Sequence, residues 1–154
     1  MAAKEIIIFR LGDKKYGIEI KQLLGLEDYH DAEEVKKAPE CMDGITTLRK
    51  ELMPVINLHK LLKIEETDTT EFTRYLMLIT KEGHLACKVD EVLEIKKYEE
   101  QDVHDFPRLL ETQDTAYAKF VAKEQGELVI VIDPDGLLRE EEKNKISKLK
   151  ELQK

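Results

Sequence analysis

Tryptophan is absent, and five Tyr and four Phe are the only other aromatic rings. A platform for stacking nucleic-acid bases is therefore poorly supplied. Positive charge is also short: the formal net charge is −8, whereas phosphate neutralisation needs a basic face. No apolar run is longer than the five residues of Leu128–Ile132, far below the roughly 20 of a membrane-spanning helix. Met1-Ala-Ala-Lys-Glu leads straight into an apolar β-branched run, without a secretory leader or a myristoylation glycine. The two cysteines, Cys41 and Cys87, lack CxxC spacing, which suits a reducing compartment. These features predict a cytoplasmic protein that neither binds nucleic acid nor inserts into a membrane. What is present suffices for a core: 154 residues at 42% apolar fit one compact body or two small subdomains.

The most informative stretch is Gly44–Leu62, GITTLRKELMPVINLHKLL. Two apolar runs, Ile45–Leu48 and Leu52–Leu58, flank the charged step Arg49-Lys50-Glu51, the pattern of two strands joined by a tight polar turn. Leu58, Leu61 and Leu62 then share one face of a helical turn. Upstream, Ile6–Phe9 and Tyr16–Ile20 read as a hairpin turning at Gly12-Asp13. Ile20, Leu23, Leu24 and Leu26 are too closely spaced for strand alternation and predict a helical turn. Residues 27–39 read as an acidic loop around a short edge segment at Val35, and Glu65–Glu71 as a polar break.

The second half repeats the first. Leu76–Ile79 and Leu85–Val89 form another hairpin. Without gaps, Tyr16–Leu26 aligns with Leu85–Ile95, matching Tyr16 to Leu85, Ile18 to Cys87, Ile20 to Val89, Leu23 to Val92 and Leu26 to Ile95. Leu52–Leu62 aligns likewise with Leu128–Leu138, so that Val55-Ile56-Asn57 answers Val131-Ile132-Asp133. Two registers in the same order suggest an internal duplication. Residues 97–115 read as an exposed excursion tacked down by Phe106, Leu109 and Leu110. Tyr117–Ala122 and Leu128–Ile132 read as strands around a turn at 123–126. Asp133 is placed as a helix N-cap with Pro134 at the first helical position, ahead of a helix over 137–154. That helix carries a narrow stripe of Leu138, Ile146, Leu149 and Leu152.

No catalytic constellation emerges. Neither Cys41 nor Cys87 has a neighbour that marks an activated thiol. His30, His59, His84 and His104 read as loop or turn residues without ligand spacing, so no metal site is predicted. Asp133-Pro-Asp-Gly136 lacks the later acids of a calcium loop, and no glycine run cradles a phosphate. The expectation is a non-enzymatic binding protein without a cofactor.

Gly44, Leu48, Arg49, Pro54, Val55, Ile56 and Leu58 carry a resemblance to the CheW-like family of bacterial chemotaxis adaptors. That family usually reads Gly-Val-x-Asn-Leu-Arg-Gly, a few apolar residues, then Pro-Val-Ile-Asp-Leu. The resemblance runs from about Ile6 to Leu138. It implies a mainly β fold of two small five-stranded SH3-like β-barrel subdomains with a C-terminal α-helix. As one CheW-like domain over 1–154, the chain divides into halves at 5–66 and 70–138, with the helix at 137–154 and strand exchange between the halves allowed. It also implies a scaffold that couples the cytoplasmic tip of methyl-accepting chemoreceptors to the histidine kinase CheA, through the CheW-like regulatory domain of CheA, with other CheW-like domains as further partners. Residues matching the family's receptor-contacting stretches are Leu23, Leu26, Gly44, Leu48, Arg49 and Val92, although the pattern around Leu48 alone reads as plain core. Gly25 (usually Glu), Thr47 (usually Asn), Lys50 (usually Gly) and Asn57 (usually Asp) depart from the family, and Gly25, Thr47 and Lys50 are the candidate specificity positions. The competing readings are a CheW-like adaptor of another two-component pathway, and an OB- or SH3-like barrel for nucleic acid or a small ligand. The second of these demands the basic, aromatic face that the composition lacks.

Overall fold

Four consecutive buried apolar residues, Ile6–Phe9, need apolar neighbours on both faces of a strand. The computed structural model, which describes residues 3–110 and 115–152, meets that need by running the strand between two cores. Ile6 and Ile8 point into one cluster, with Tyr98, Phe120, Ala122, Val129 and Val131. Ile7 and Phe9 point into another, with Leu76, Leu78, Leu85, Cys87 and Ile132. Period-two alternation thus survives inside an unbroken apolar run.

The described residues form a six-stranded and a five-stranded sheet. The chain order is β1 (Lys4–Leu11), β2 (Lys14–Glu19), β3 (Leu23–Asp28), β4 (Met42–Leu48), β5 (Glu51–Ile56), helix α1 (Leu58–Leu62), β6 (Arg74–Thr80), β7 (Gly83–Val89), β8 (Glu91–Tyr98), β9 (Val103–Asp105), β10 (Ala118–Glu124), β11 (Glu127–Ile132) and helix α2 (Glu140–Leu152). One sheet runs β8-β1-β2-β11-β10-β9, the other β3-β6-β7-β5-β4. Without the short β9 the two orders are the same under the duplication, with β3 exchanged for β8. Each of these strands pairs antiparallel with the first strand of the opposite half, β3 with β6 and β8 with β1.

The register follows the repeat. β5 runs parallel to β7 with Val55 opposite Ala86, and β11 runs parallel to β2 with Val131 opposite Gly17. Gly17 and Ala86 occupy equivalent steps that face a barrel interior, where bulk is excluded. A Cβ on Gly17 would stand 2.5 Å from Ile6 Cγ2. Each sheet curls around its own interior, the five-stranded one around Leu48, Met53, Val55, Tyr75, Met77 and Ala86. The central core lies between the sheets and takes residues from both, together with Leu58 of α1 and Ile146 of α2.

Several local readings change. The helical turn after Ile20 is one 3-10 turn, Ile20–Gln22, and Leu23–Asp28 is a strand. A register shift between Leu23 and Gly25 hides its alternation. The segment after β3 meets β4 at Glu33, not Val35, which is half-buried against the central core. In the 97–115 excursion, Val103 and not the leucines tacks the chain down: Leu109 is 99% exposed and Leu110 57%, while β9 pairs with β10. Residues 111–114 of that excursion lie outside the described residues, as do the side chains of Leu149 and Leu152. Asp133 does accept the Asp135 N–H and Pro134 does follow it, but this cap serves a 3-10 turn, Pro134–Gly136, and α2 starts at Glu140.

Candidate functional site

The β4–β5 hairpin has a two-residue loop: Leu48 pairs with Glu51, and Arg49 and Lys50 both have positive φ, +51° and +69°. Two left-handed residues in a two-residue loop are the arrangement of a type I′ turn, whose twist matches that of the flanking strands. Asn-Gly is the unstrained choice there, so a residue with a Cβ at the second position adds on the order of 1 kcal/mol of strain.

At the base of the hairpin, the chain after β3 crosses β4. Glu33 and Ile45 exchange both backbone hydrogen bonds at 2.9 Å. A Cβ on Gly44 would sit 2.1 Å from the Glu33 carbonyl oxygen, so the close crossing requires glycine. The Tyr75 hydroxyl donates to the His30 carbonyl at 2.5 Å, and the His30 ring bonds Thr46 at 2.6 Å, which ties the same segment to the barrel.

At the tip, Arg49 folds back onto β3. Its Nε stands 3.4 Å from Glu27 Oε1, and its Nη1 donates to the Leu24 carbonyl at 3.5 Å. The guanidinium lies over Gly25, where an added Cβ would come within 2.6 Å of Nη2. The Gly25 departure therefore has a physical counterpart. A side chain at this step would displace the guanidinium, and Glu27, two residues along the same strand, supplies the carboxylate. Reading β3 as a helical turn left Glu27 in a loop; period-two spacing from Gly25 was the signal that could have found it.

The structure gathers Leu23, Gly25, Leu26 and Arg49 around β3 and the hairpin tip. Leu26 is 38% exposed and Leu23 half-buried. Thr47 is exposed and pairs across the hairpin with Leu52, which is 46% exposed. Leu48 is only 5% exposed and packs inside the barrel, and Gly44 is buried, so both lie beneath this surface. Val92 lies on β8 of the other sheet, opposite Phe9, and packs with Leu23 against the central core.

Two buried polar groups elsewhere, around Asp90 and Asn57, join distant segments of the fold. His59 is a buried α1 residue, not a loop residue; His84 lies in β7 and His104 in β9. The His59 Nε2 stands 3.0 Å from Asp90, which also accepts the Gly12 N–H and the Thr67 hydroxyl. Burial alone would raise the Asp90 carboxyl, but these hydrogen bonds outweigh it and hold the group below its ordinary value. Asn57 caps α1 by accepting the Lys60 N–H, and its amide nitrogen donates to Asp43 at 3.1 Å and Glu66 at 2.8 Å.

Cys41 lines an open cleft of about 920 Å³ between α1 and the start of α2. Burial, then the Glu142 carboxylate that accepts its S–H at 3.2 Å, pushes its pKa up to about 12, so it stays a thiol at neutral pH. Burial likewise raises the Cys87 thiol. Among the described residues no group of three or more His, Cys, Asp or Glu could hold a metal ion, and no helix is long and apolar enough to cross a membrane.

The result is a strand-exchanged pair of β-barrels with a cationic hairpin folded over an edge strand. The chain belongs to the CheW-like domain family, whose model matches residues 5–142. It is 26% identical over 149 residues to the chemotaxis protein CheW of Treponema pallidum, covering 94% of this chain and 88% of that protein. It is 23% identical over 138 residues to the chemotaxis protein CheW of Bacillus subtilis, covering 90% and 88%. The crystal structure of the scaffolding protein TtCheW from Thermoanaerobacter tengcongensis matches with a TM-score of 0.82 at 25% identity, covering 92% of this chain and 96% of that one. Proteins of this family are chemotaxis scaffolds and adaptors rather than enzymes.

Proposed function

We propose that this chain is a cytoplasmic adaptor that couples the cytoplasmic tip of a chemoreceptor to the histidine kinase CheA, with other CheW-like domains as further partners in the array. The observation that carries the reading is the guanidinium of Arg49, laid across Gly25 on the same edge strand that carries half-buried Leu23 and exposed Leu26. An amphipathic helix needs an apolar strip and a charged lip, and Arg49 is held by β3 while its side chain stays 54% exposed. Leu23, Leu26 and Arg49 form the contact surface, and Val92 extends it towards the other sheet. Gly44 and Leu48 support it from below by fixing the hairpin, and Gly25, Thr47 and Lys50 tune it. Kinase binding uses other barrel edges.

The test is co-sedimentation of the purified chain with receptor-containing membranes, with and without CheA. The expected result is pelleting with receptor alone and more pelleting when CheA is added. A chain that stays in the supernatant under both conditions overturns the proposal.

A further inference from the structure

We infer that Lys50 is a second partner-reading cation, the one with which this chain selects a helix carrying carboxylates beside its apolar face; this rests on the receptor reading above. Three observations meet at the hairpin tip. The first is conformational: Lys50 has φ +69°, where glycine would sit without strain, yet a long charged side chain stands there. The hairpin pairs from Met42–Ile56 to Leu48–Glu51 hold the turn in that conformation, so the side chain is projected from a defined backbone.

The second concerns charge. Arg49 is partly committed within the chain, to Glu27 and to the Leu24 carbonyl. Lys50 is exposed and makes no ion pair or hydrogen bond among the described residues. Several other cations of this acidic chain are paired, Lys15 with Glu127, Lys96 with Glu124 and Lys143 with Glu82. The third is the setting. The tip belongs to a chain of net charge −8, and exposed Leu52 lies one pair below the Leu48–Glu51 pair that closes the turn. A two-cation tip on such a chain suits a few carboxylates on a helix rather than a polyanion, which the rest of the surface would repel. Gly25 completes the arrangement: it lets Arg49 lie back on β3 and leaves the outer position to Lys50.

The experiment measures binding of the full chain to a soluble chemoreceptor hairpin fragment, and to the same fragment with the Glu and Asp residues of its tip changed to Gln and Asn. Lys50→Gly is the chosen variant because it relieves the positive φ, and a melting temperature at or above that of the unmutated chain shows that it folds. The expected result is a roughly three- to tenfold weaker affinity for the acidic fragment at low salt, restored by Lys50→Arg. The difference should close near about 0.5 M salt and be absent with the neutralised fragment. Equal binding of Lys50→Gly and the unmutated chain at low salt overturns the inference while the receptor reading stands. No binding by the unmutated chain overturns the receptor reading and the inference with it. Loss of self-association by Lys50→Gly, in sedimentation of the chain alone, would assign the tip to a second copy and overturn the acidic-helix partner.

Discussion

Asn57→Asp changes one atom type at a buried site and isolates a departure from the family's usual Asp. Asn57 is 6% exposed. Its Oδ1 caps α1 through the Lys60 N–H, which a carboxylate can do equally well. Its Nδ2 donates to both Asp43 and Glu66, at 3.1 and 2.8 Å, and a carboxylate oxygen in that place would face two others. The variant loses hydrogen bonds to charged acceptors, each worth about 1.5–3 kcal/mol when buried. Solvent reaches Asp43 and the exposed Glu66 and reduces that figure, so the net loss at pH 7 should be about 2–3 kcal/mol, a fall of roughly 4–12 °C in melting temperature for a chain of this length.

The pH dependence follows from the sign of the shift. The new carboxyl has a folded pKa raised above its unfolded value of about 3.9. The deficit is therefore full above the folded pKa and shrinks as pH falls towards 3.9 and the group becomes protonated in both states. Urea unfolding at pH 7 and near pH 4 measures both values. Adding Asp43→Asn and Glu66→Gln should restore most of the stability at pH 7. An Asn57→Asp variant as stable as the unmutated chain, or one whose deficit grows on acidification, would refute the reasoning.

The buried His59–Asp90 pair makes a related prediction. Because the folded pKa of Asp90 is depressed, its contribution is present above about pH 4 and is lost as pH falls through the folded value. Asp90→Asn should therefore be less stable by about 2–4 kcal/mol at pH 7, with the gap closing in acid, as urea titrations at several pH values will show. Arg49→Glu should weaken receptor-fragment binding by roughly 1–3 kcal/mol, less as salt rises, whereas the loss from Leu23→Ala should not depend on salt; isothermal titration at two ionic strengths separates them. Arg49→Glu should alter stability by less than about 1 kcal/mol, since its ion pair with Glu27 is exposed. Replacing Cys41 and Cys87 together by Ser should lower the melting temperature, since a hydroxyl is buried in place of a thiol, and leave co-sedimentation with receptor unchanged.

The central hairpin was legible because two apolar runs, Ile45–Leu48 and Leu52–Leu58, flank the charged step Arg49-Lys50-Glu51. The repeat was legible for a similar reason, since Tyr16–Leu26 and Leu85–Ile95 keep their bulky residues in register, and that register reappears in the parallel pairings of Val55 with Ala86 and Val131 with Gly17. Strand exchange is a different matter. β3 and β8 carry equivalent patterns, so either could pair with β1 or β6 on hydrophobic grounds alone. Partners far apart in the chain were also out of reach: Asp90 lies 31 residues from His59, and its second and third contacts come from a turn and a polar linker. Leu109 and Leu110 misled because an apolar pair in a polar stretch reads as an anchor, whereas both are exposed and Val103 does the packing. At the candidate site, Arg49 and Lys50 were visible as charges in a turn. Their division, one cation folded over Gly25 and one exposed at the tip, depends on a strand that the bulge at Leu23–Gly25 had disguised.

The most direct measurement of the central claim is backbone amide hydrogen exchange of the full chain, read by mass spectrometry, with and without a chemoreceptor hairpin fragment. The account predicts added protection in peptides covering Leu23–Asp28 and Leu48–Leu52, with little change in β9 or α2. Binding with protection confined to β9, α2 or other surfaces, and none across β3 and the hairpin tip, would contradict it.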